Sequence, residues 1–330
     1  MKKIGWIKIS SRKYGSTLYE EQAKKILDKH FDLEFININS KYFKRGYFRA
    51  PETFLNLSKV EGRKDLWIRD IHTVLTMLFD KTDGKNLVII HDVNFYLVPL
   101  LLKPFFYILE RFFYYNLKKI DAIVTVSEYW KNHFSAKGYS NIYKIYNSFD
   151  LSDFNFGVKE VLEFKKKYNL FKKPIIYIGN CQKKKGVVEV YNTLKNLDVY
   201  LVSSGEQFVK IPSINLNLDY KDYLRLLKAS SVTITMSKYK EGWCRVAHEA
   251  MLCKTPVIGS GQGGMRELLE GGKQVICSDF DSLQEKVEYL LSNPKIQKEI
   301  GENGYNFAKN FTIEKFEKEW VDLIKNLTST

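Results

Sequence analysis

Apolar positions in this 330-residue chain fall into short blocks of β-branched and aromatic residues, separated by longer stretches with helical spacing. In the first half the blocks are Ile4–Ile9, Leu33–Ile38, Leu87–His91, Ala122–Val126 and Ile142–Tyr146. In the second half they are Pro174–Gly179, Val199–Ser203, Ile214–Leu218, Val232–Met236, Thr255–Gly259 and Gln274–Cys277. Most are continuously apolar rather than alternating, as in strands covered on both faces of a parallel sheet. Helix-period stretches lie between them, among them Glu20–His30, Tyr220–Ala229, Arg245–Leu252 and Leu283–Leu290. Strand and helix alternate along the whole chain, which predicts α/β architecture in two doubly wound units. Turn chemistry at Asn147-Ser148-Phe149-Asp150, then a charged helical stretch, places the boundary within residues 150–173. The segment Tyr42–Asp70 is aromatic and basic without clear period, and reads as an irregular loop with short helices.

Composition narrows the class. Apolar residues make up 45% and charged residues 27%, which excludes wholesale disorder. The length suits about two domains. The four cysteines form no C-x-x-C pair, so a disulfide framework or zinc ribbon is not expected and a reducing compartment is. The start, Met1-Lys2-Lys3 followed by a strand, has no apolar signal region. The most apolar window, Tyr96–Tyr115, is broken by Pro99, Lys103, Pro104, Glu110 and Arg111, and so is not a membrane span. It fits either buried helices or an aromatic surface with Arg111, Lys118 and Lys119 touching anionic membrane. Net charge is +14; residues 1–150 hold 25 Lys and Arg against 16 Asp and Glu. Such a field attracts polyanions, although a merely solubilising surface accounts for it equally well.

Three stretches carry candidate chemistry. Ser237 to Met251 follows a predicted strand and opens a helix, with Glu241 and Glu249 eight residues apart. Within one helix they would be about 12 Å apart. Gly242 instead puts Glu241 on the strand-to-helix loop and Glu249 about one turn into the helix, both at the carboxyl ends of the strands where α/β sheets bind ligands. A helix-start carboxylate and a solvated glutamate would look the same. Thr255 to Leu268 is a buried strand, a glycine-rich turn and a helix, an arrangement suited to phosphate. It also matches the dinucleotide string G-x-G-x-x-G at Gly259, Gly261 and Gly264, with Asp279 downstream, but it stands too late in its unit for that role. Ile176 to Gly186 leaves the first strand of the second half with Lys183, Lys184 and Lys185 placed to meet a diphosphate or, blandly, as a basic loop. Asp279-Phe280-Asp281 reads as a helix start capped by Asp281 or Ser282 rather than a metal-held diphosphate site. No cluster has metal spacing, so no metal is expected.

Together these stretches resemble the GT-B glycosyltransferases of the large retaining family four. The likeness rests on Glu241…Glu249 with Ala250-Met251, on Pro256-Val257-Ile258-Gly259-Ser260 with Gly263-Gly264, and on Gly179…Lys185-Gly186. Weaker matches are Val126-Ser127-Glu128, Tyr146 to Asp150, Ile90-His91-Asp92, Gly15-Ser16 and the closing helices from Gly304 to Trp320. The resemblance implies an acceptor-binding unit over residues 1–152, joined by a crossover helix near 316–330, a donor-binding unit over 153–315, and an active cleft between them. It implies catalytic roles for Glu241, His91 and Lys185. Donor contacts would come from Asn180, Lys185, Ser237, Glu241, Gly242, Trp243, Glu249, Gly263, Gly264, Met265 and Arg266, and acceptor contacts from Gly15, Ser16 and His91. Glu249 would hold the ribose hydroxyls, Glu241 the donor sugar, and Lys185 with the amides at Gly263 and Gly264 the diphosphate. Three positions depart from the family: Asn180 stands for the usual arginine, Cys244 for a glycine, and Arg266 for a frequent proline, where it would restore charge.

The expected activity is transfer of a sugar, with retention, from a UDP-, GDP- or ADP-sugar to a glycan, lipid-linked or other hydroxyl acceptor. The enzyme would be cytoplasmic or peripheral on the membrane's cytoplasmic face, with no cofactor, no metal and no nucleic-acid partner. The rivals are a non-catalytic basic module binding nucleic acid or anionic membrane on the same scaffold, and an NAD-dependent dehydrogenase.

Overall fold

The computed structural model describes residues 1–9, 15–42, 50–75, 77–79, 81–95, 98 and 100–329. It divides into two compact units, one of Met1–Ser148 with Ile313–Thr330 and one of Phe149–Thr312.

The first unit orders β1 (Lys3–Lys8), α1 (Gly15–His30), β2 (Asp32–Asn37), α2 (Ala50–Leu57), β3 (Glu61–Arg69), α3 (Ile71–Leu75), β4 (Lys81–Ile90), α4 (Lys103–Leu117), β5 (Ala122–Thr125), α5 (Glu128–Ser135) and β6 (Ile142–Lys144). Its strands form one parallel sheet in the order β2-β1-β3-β4-β5-β6, the 2-1-3-4-5 type of doubly wound sheet extended by a strand. The last helix, α13 (Ile313–Thr328), belongs to this unit. Its apolar positions Phe316 and Trp320 meet Tyr19 of α1, with ring centroids 5.0 and 6.3 Å away.

β3 overturns the reading of Tyr42–Asp70 as irregular. Its first half is polar and exposed, and only Leu66 to Arg69 are buried, so no apolar run marks the strand. It pairs with an equally polar first half of β4, Glu61 opposite Lys81 and Arg63 opposite Asp83, until the register shifts before Leu66. That polar extension also explains why β4 starts at Lys81 rather than at Leu87. Gly84 sits at the shift with φ +124°, where a Cβ would lie 2.1 Å from the Lys64 carbonyl oxygen. Trp67 anchors β3: it is fully buried, its indole N–H donates to the Asp83 carbonyl at 2.9 Å, and its ring fills the notch left by Gly5 across the strand. Residues 43–49 of the expected loop lie outside the described residues.

The second unit orders α6 (Val158–Lys167), β7 (Ile175–Asn180), α7 (Val187–Leu194), β8 (Tyr200–Ser204), β9 (Ile214–Leu216), α8 (Tyr220–Ala229), β10 (Val232–Thr235), α9 (Arg245–Leu252), β11 (Val257–Gly259), α10 (Met265–Gly271), β12 (Val275–Ile276), α11 (Leu283–Ser292) and α12 (Pro294–Ala308). Its parallel sheet runs β12-β11-β10-β7-β8-β9. That is the dinucleotide-fold order 3-2-1-4-5-6, with its switch point between β7 and β10. The core is built from the apolar runs read in the sequence, Ile176, Ile178, Val232, Ile234 and Ile258 among them. At α11 neither Asp281 nor Ser282 caps: Asp279 Oδ1 accepts the Ser282 amide at 2.8 Å.

Trp67→Ala is expected to lower unfolding free energy by about 3–5 kcal/mol, because it removes a buried indole and opens a cavity beside Gly5. Urea denaturation followed by circular dichroism measures it. A change below about 1 kcal/mol would mean that β3 is not part of the core.

Candidate functional site

The switch point of the second unit gathers the loops that leave β7, β10 and β11. The β7 loop makes a tight turn through Lys183–Lys185 and ends at Gly186, whose φ is +73°. A Cβ there would stand 2.3 Å from the Met236 carbonyl oxygen, so glycine is what lets this loop lie against the end of β10. That contact brings Lys185 Nζ to 2.5 Å from Glu241 Oε1. Glu241 is almost fully buried and is further held by the Ser237 hydroxyl on the same oxygen and by the Tyr239 hydroxyl on Oε2 at 3.0 Å. Burial works against the charge on Lys185, but the Glu241 carboxylate more than offsets it and raises the ammonium above its ordinary value.

The β11 loop closes the arrangement. Glu241 donates its amide to the Gln262 carbonyl at 3.2 Å and accepts the Gly264 amide at 2.8 Å. Gly263, at φ +67°, is pressed so close that a Cβ would be 2.4 Å from the Glu241 carbonyl oxygen. The Gly264 N–H is therefore not free for phosphate, as the sequence reading had it. Met265 is wholly buried beneath Gly259, its sulfur 3.7 Å from the Thr235 hydroxyl. Arg266 stands half exposed in an ion pair with Glu270 at 3.2 Å, and its guanidinium lies beside Gly261.

Glu249 occupies a second buried pocket on α9. It accepts the Tyr223 hydroxyl at 3.0 Å, the Tyr220 hydroxyl at 3.3 Å and Arg245 Nη2 at 3.2 Å. Burial raises its pKa despite these partners. Arg245 in turn lies over the Phe149 ring at 4.3 Å. Tyr220 and Tyr223 were not foreseen; their spacing of three on the predicted helix α8 was the signal that set both rings on one face.

Trp243 and Cys244 turn inward. The Trp243 indole N–H donates to His248 Nδ1 at 3.1 Å. An indole only donates, so His248 accepts at Nδ1, and its Nε2–H donates to the Ala308 carbonyl at 3.1 Å. Burial drives this neutral histidine down to about 3. The Cys244 thiol is pushed up to about 12 by burial and by Glu241, which keeps it an inert thiol. Asn180 ends β7, its carbonyl accepting the Gln182 amide at 2.7 Å. Gly242 is buried in the loop between Glu241 and Trp243.

The remaining expected residues belong to the first unit. Gly15 and Ser16 open helix α1, which begins five residues before the predicted start at Glu20, and residues 10–14 lie outside the described residues. His91 follows β4 and places Nε2 3.3 Å from Glu20 Oε1, while Lys8 is ion-paired with the other Glu20 oxygen. Burial opposes the Glu20 charge, but His91 and Lys8 outweigh it and hold the carboxyl below its ordinary value. Val126-Ser127-Glu128 serves structure: Ser127 caps α5 through the Trp130 amide, and Glu128 pairs with Lys144. Among the described residues no group of three His, Cys, Asp or Glu is placed to hold a metal ion, and no helix is long and apolar enough to cross a membrane.

Residues 213–307 match the family model of the glycosyl transferases group 1. An uncharacterized glycosyltransferase of Methanocaldococcus jannaschii is 29% identical over 219 residues, 62% of this chain and 59% of that protein, so the match spans about three fifths of the relative. Sucrose-phosphate synthase from Thermosynechococcus elongatus superposes with a TM-score of 0.80 at 16% identity, over 100% of both chains. HepE of Anabaena, solved in complex with UDP-glucose, superposes with a TM-score of 0.78 at 14% identity, over 99% of this chain and 100% of that one. The fold is GT-B, and residues 213–307 carry the group 1 glycosyl transferase signature.

Unfolding of the second unit should respond to pH through His248. Its folded pKa lies below the unfolded value, so the unfolded chain binds the extra proton between about pH 6.5 and 3. The stabilisation is complete above pH 6.5 and is lost on acidification through that window, by about 1.4 kcal/mol per pH unit. Denaturation between about pH 7 and 5, compared between the native chain and His248→Gln so that Glu249, raised by burial, contributes equally to both, measures the slope. His248→Gln should flatten it; an unchanged slope would exclude His248 as its source.

Proposed function

We propose that this GT-B protein transfers a sugar from a nucleotide-sugar donor held by its second unit to an acceptor hydroxyl on a glycan or a lipid carrier. The observation that carries the reading is the meeting of Lys185, Glu241 and the Gly263 turn at the carboxyl ends of three neighbouring strands. Breaking a sugar–phosphate bond builds positive character on the sugar and negative charge on the departing diphosphate. Lys185 has three N–H donors and spends one on Glu241, which leaves donors for phosphate oxygens. The Gly263 amide stands in the same turn. Glu241, fixed by two hydroxyls, offers a carboxylate for the developing positive charge on the sugar. Glu249, beside Tyr220, is the acceptor for the ribose hydroxyls. Support for a nucleotide sugar also comes from HepE, which was solved with UDP-glucose. We read the transfer as retaining and metal-independent, with UDP, GDP or ADP as carrier.

The test is a screen of UDP-, GDP- and ADP-sugars for protein-dependent release of the nucleoside diphosphate. One class should be turned over, and Glu241→Gln should cut turnover about 10²–10³-fold while leaving nucleotide affinity within about threefold. Calorimetry that finds NAD bound and no nucleoside diphosphate would instead support the dehydrogenase. Nucleotide binding without any turnover would support a non-catalytic scaffold.

Arg266 supplies the charge that Asn180 lacks. Its removal in Arg266→Ala should weaken nucleoside diphosphate binding about three- to tenfold, as expected for a half-exposed cation near a phosphate. An unchanged dissociation constant in calorimetry would take Arg266 out of the site.

A further inference from the structure

Helix α4 is apolar on two faces. One face is packed into the first unit through Phe113 and Leu117, and Asn116 locks it there by donating its side-chain amide to the Val74 and Leu75 carbonyls at 3.0 and 3.1 Å. A neighbouring face, about a third of a turn away, carries Phe105, Ile108, Phe112 and Tyr115, and Leu101, on the short turn Leu100–Leu102 just before α4, continues it at the same spacing. These are core spacings, yet the five side chains are 51% to 93% exposed. They form a continuous stripe roughly 20 Å long. Scattered exposed apolar residues are ordinary, whereas a contiguous stripe marks a contact surface.

The charge around the stripe names the occupant. Lys103, Arg111, Lys118 and Lys119 are exposed on α4 and at its end, against a single carboxylate, Glu110. Arg111 donates to the Tyr107 hydroxyl at 3.1 Å, and Lys119 lies 5.4 Å from the Tyr115 ring centroid. Rings topped by cations at the rim of an apolar stripe are what a helix lying in the headgroup layer of an anionic bilayer requires. The net charge of +14, concentrated in residues 1–150, draws this half of the chain to such a surface.

We infer that α4 is a membrane-docking surface: its Leu101–Tyr115 stripe enters the apolar boundary of an anionic bilayer while its lysines and Arg111 meet lipid phosphates. This surface stands independently of the sugar-transfer reading, and its test uses no donor. The purified protein is mixed with vesicles of phosphatidylcholine alone or of phosphatidylcholine with an equal share of phosphatidylglycerol, then floated. Binding is expected on the anionic vesicles, at least tenfold weaker on the neutral ones, and reduced at about 0.5 M salt. The triple variant Phe105→Ser, Ile108→Ser, Phe112→Ser should bind at least tenfold more weakly. Should it fail to keep the native circular dichroism, Lys118→Glu with Lys119→Glu, which touches only exposed positions, replaces it with the same expectation. Phe112→Trp adds a direct probe, whose emission should shift to the blue on anionic vesicles. No binding, equal binding by the folded variants, or an unshifted tryptophan would overturn the proposal. So would a self-association of the native chain that the triple variant abolishes, which would assign the stripe to a second copy.

Discussion

The ion pair between Lys185 and Glu241 is the constraint around which the second unit's loops are arranged. It joins the loop after β7 to the loop after β10, and the backbone of Glu241 joins both to the turn after β11. Withdrawing two charges from water is costly, and removing one partner of such a pair leaves the other uncompensated. Several local features of the three loops bear on that pair. Gly186 lets the lysine loop reach the end of β10, Gly263 lets the third loop touch the Glu241 backbone, and the Ser237 and Tyr239 hydroxyls hold the carboxylate in place. The result is a cation and an anion fixed before any ligand arrives. In the proposed reaction that prior fixing is what makes them effective, since the reorganisation has been completed during folding.

Buried strands and their helices were legible because continuous apolar runs admit few other structures. Tyr220–Ala229 and Arg245–Leu252 are helices with the bounds that periodicity gave. β3 was illegible for the opposite reason: its outer half satisfies its backbone against the polar half of β4, and neither needs apolar side chains to do so. The site divides along the same line. Residue types and loop chemistry pointed to Lys185, Glu241 and Glu249, but only the structure distinguishes side chains facing one another from those consumed by the fold. Trp243 and Met265 fall among the consumed, and so does the Gly264 amide, because each has found its partner inside the unit. Tyr220 and Tyr223 contact Glu249 from another helix altogether, a pairing that depends on how α8 and α9 lie side by side.

The first unit carries a similar piece of electrostatics that sequence motifs did not announce. Lys8 ends the buried run Ile4 to Ile7 and is itself buried, and Glu20 lies among the buried positions of α1. A charged side chain inside an apolar run must find an opposite charge, so the anomaly itself was the signal. Glu20 answers Lys8 on one oxygen and His91 on the other. His91 is thereby tied to a carboxylate with a depressed pKa rather than left as an isolated ring. The β1–α1 and β4 segments are bound by this contact, and the orientation of His91 depends on it.

Helix α4 shows where periodicity stops discriminating. Phe113 and Leu117 repeat with helical spacing, and so do Leu101, Phe105, Ile108, Phe112 and Tyr115. Either stripe alone would predict an amphipathic helix with that face inward; together they predict only an apolar helix. The choice is made by one polar side chain. Asn116 finds two carbonyl acceptors at the end of α3 and reaches them only when the Phe113 face is turned toward the sheet. Rotating the helix to bury the second stripe would break both hydrogen bonds. The amide would lose both partners, and Phe113 and Leu117 would leave the core in exchange for the stripe. The second stripe therefore stays outside because polar groups fix the first one inside.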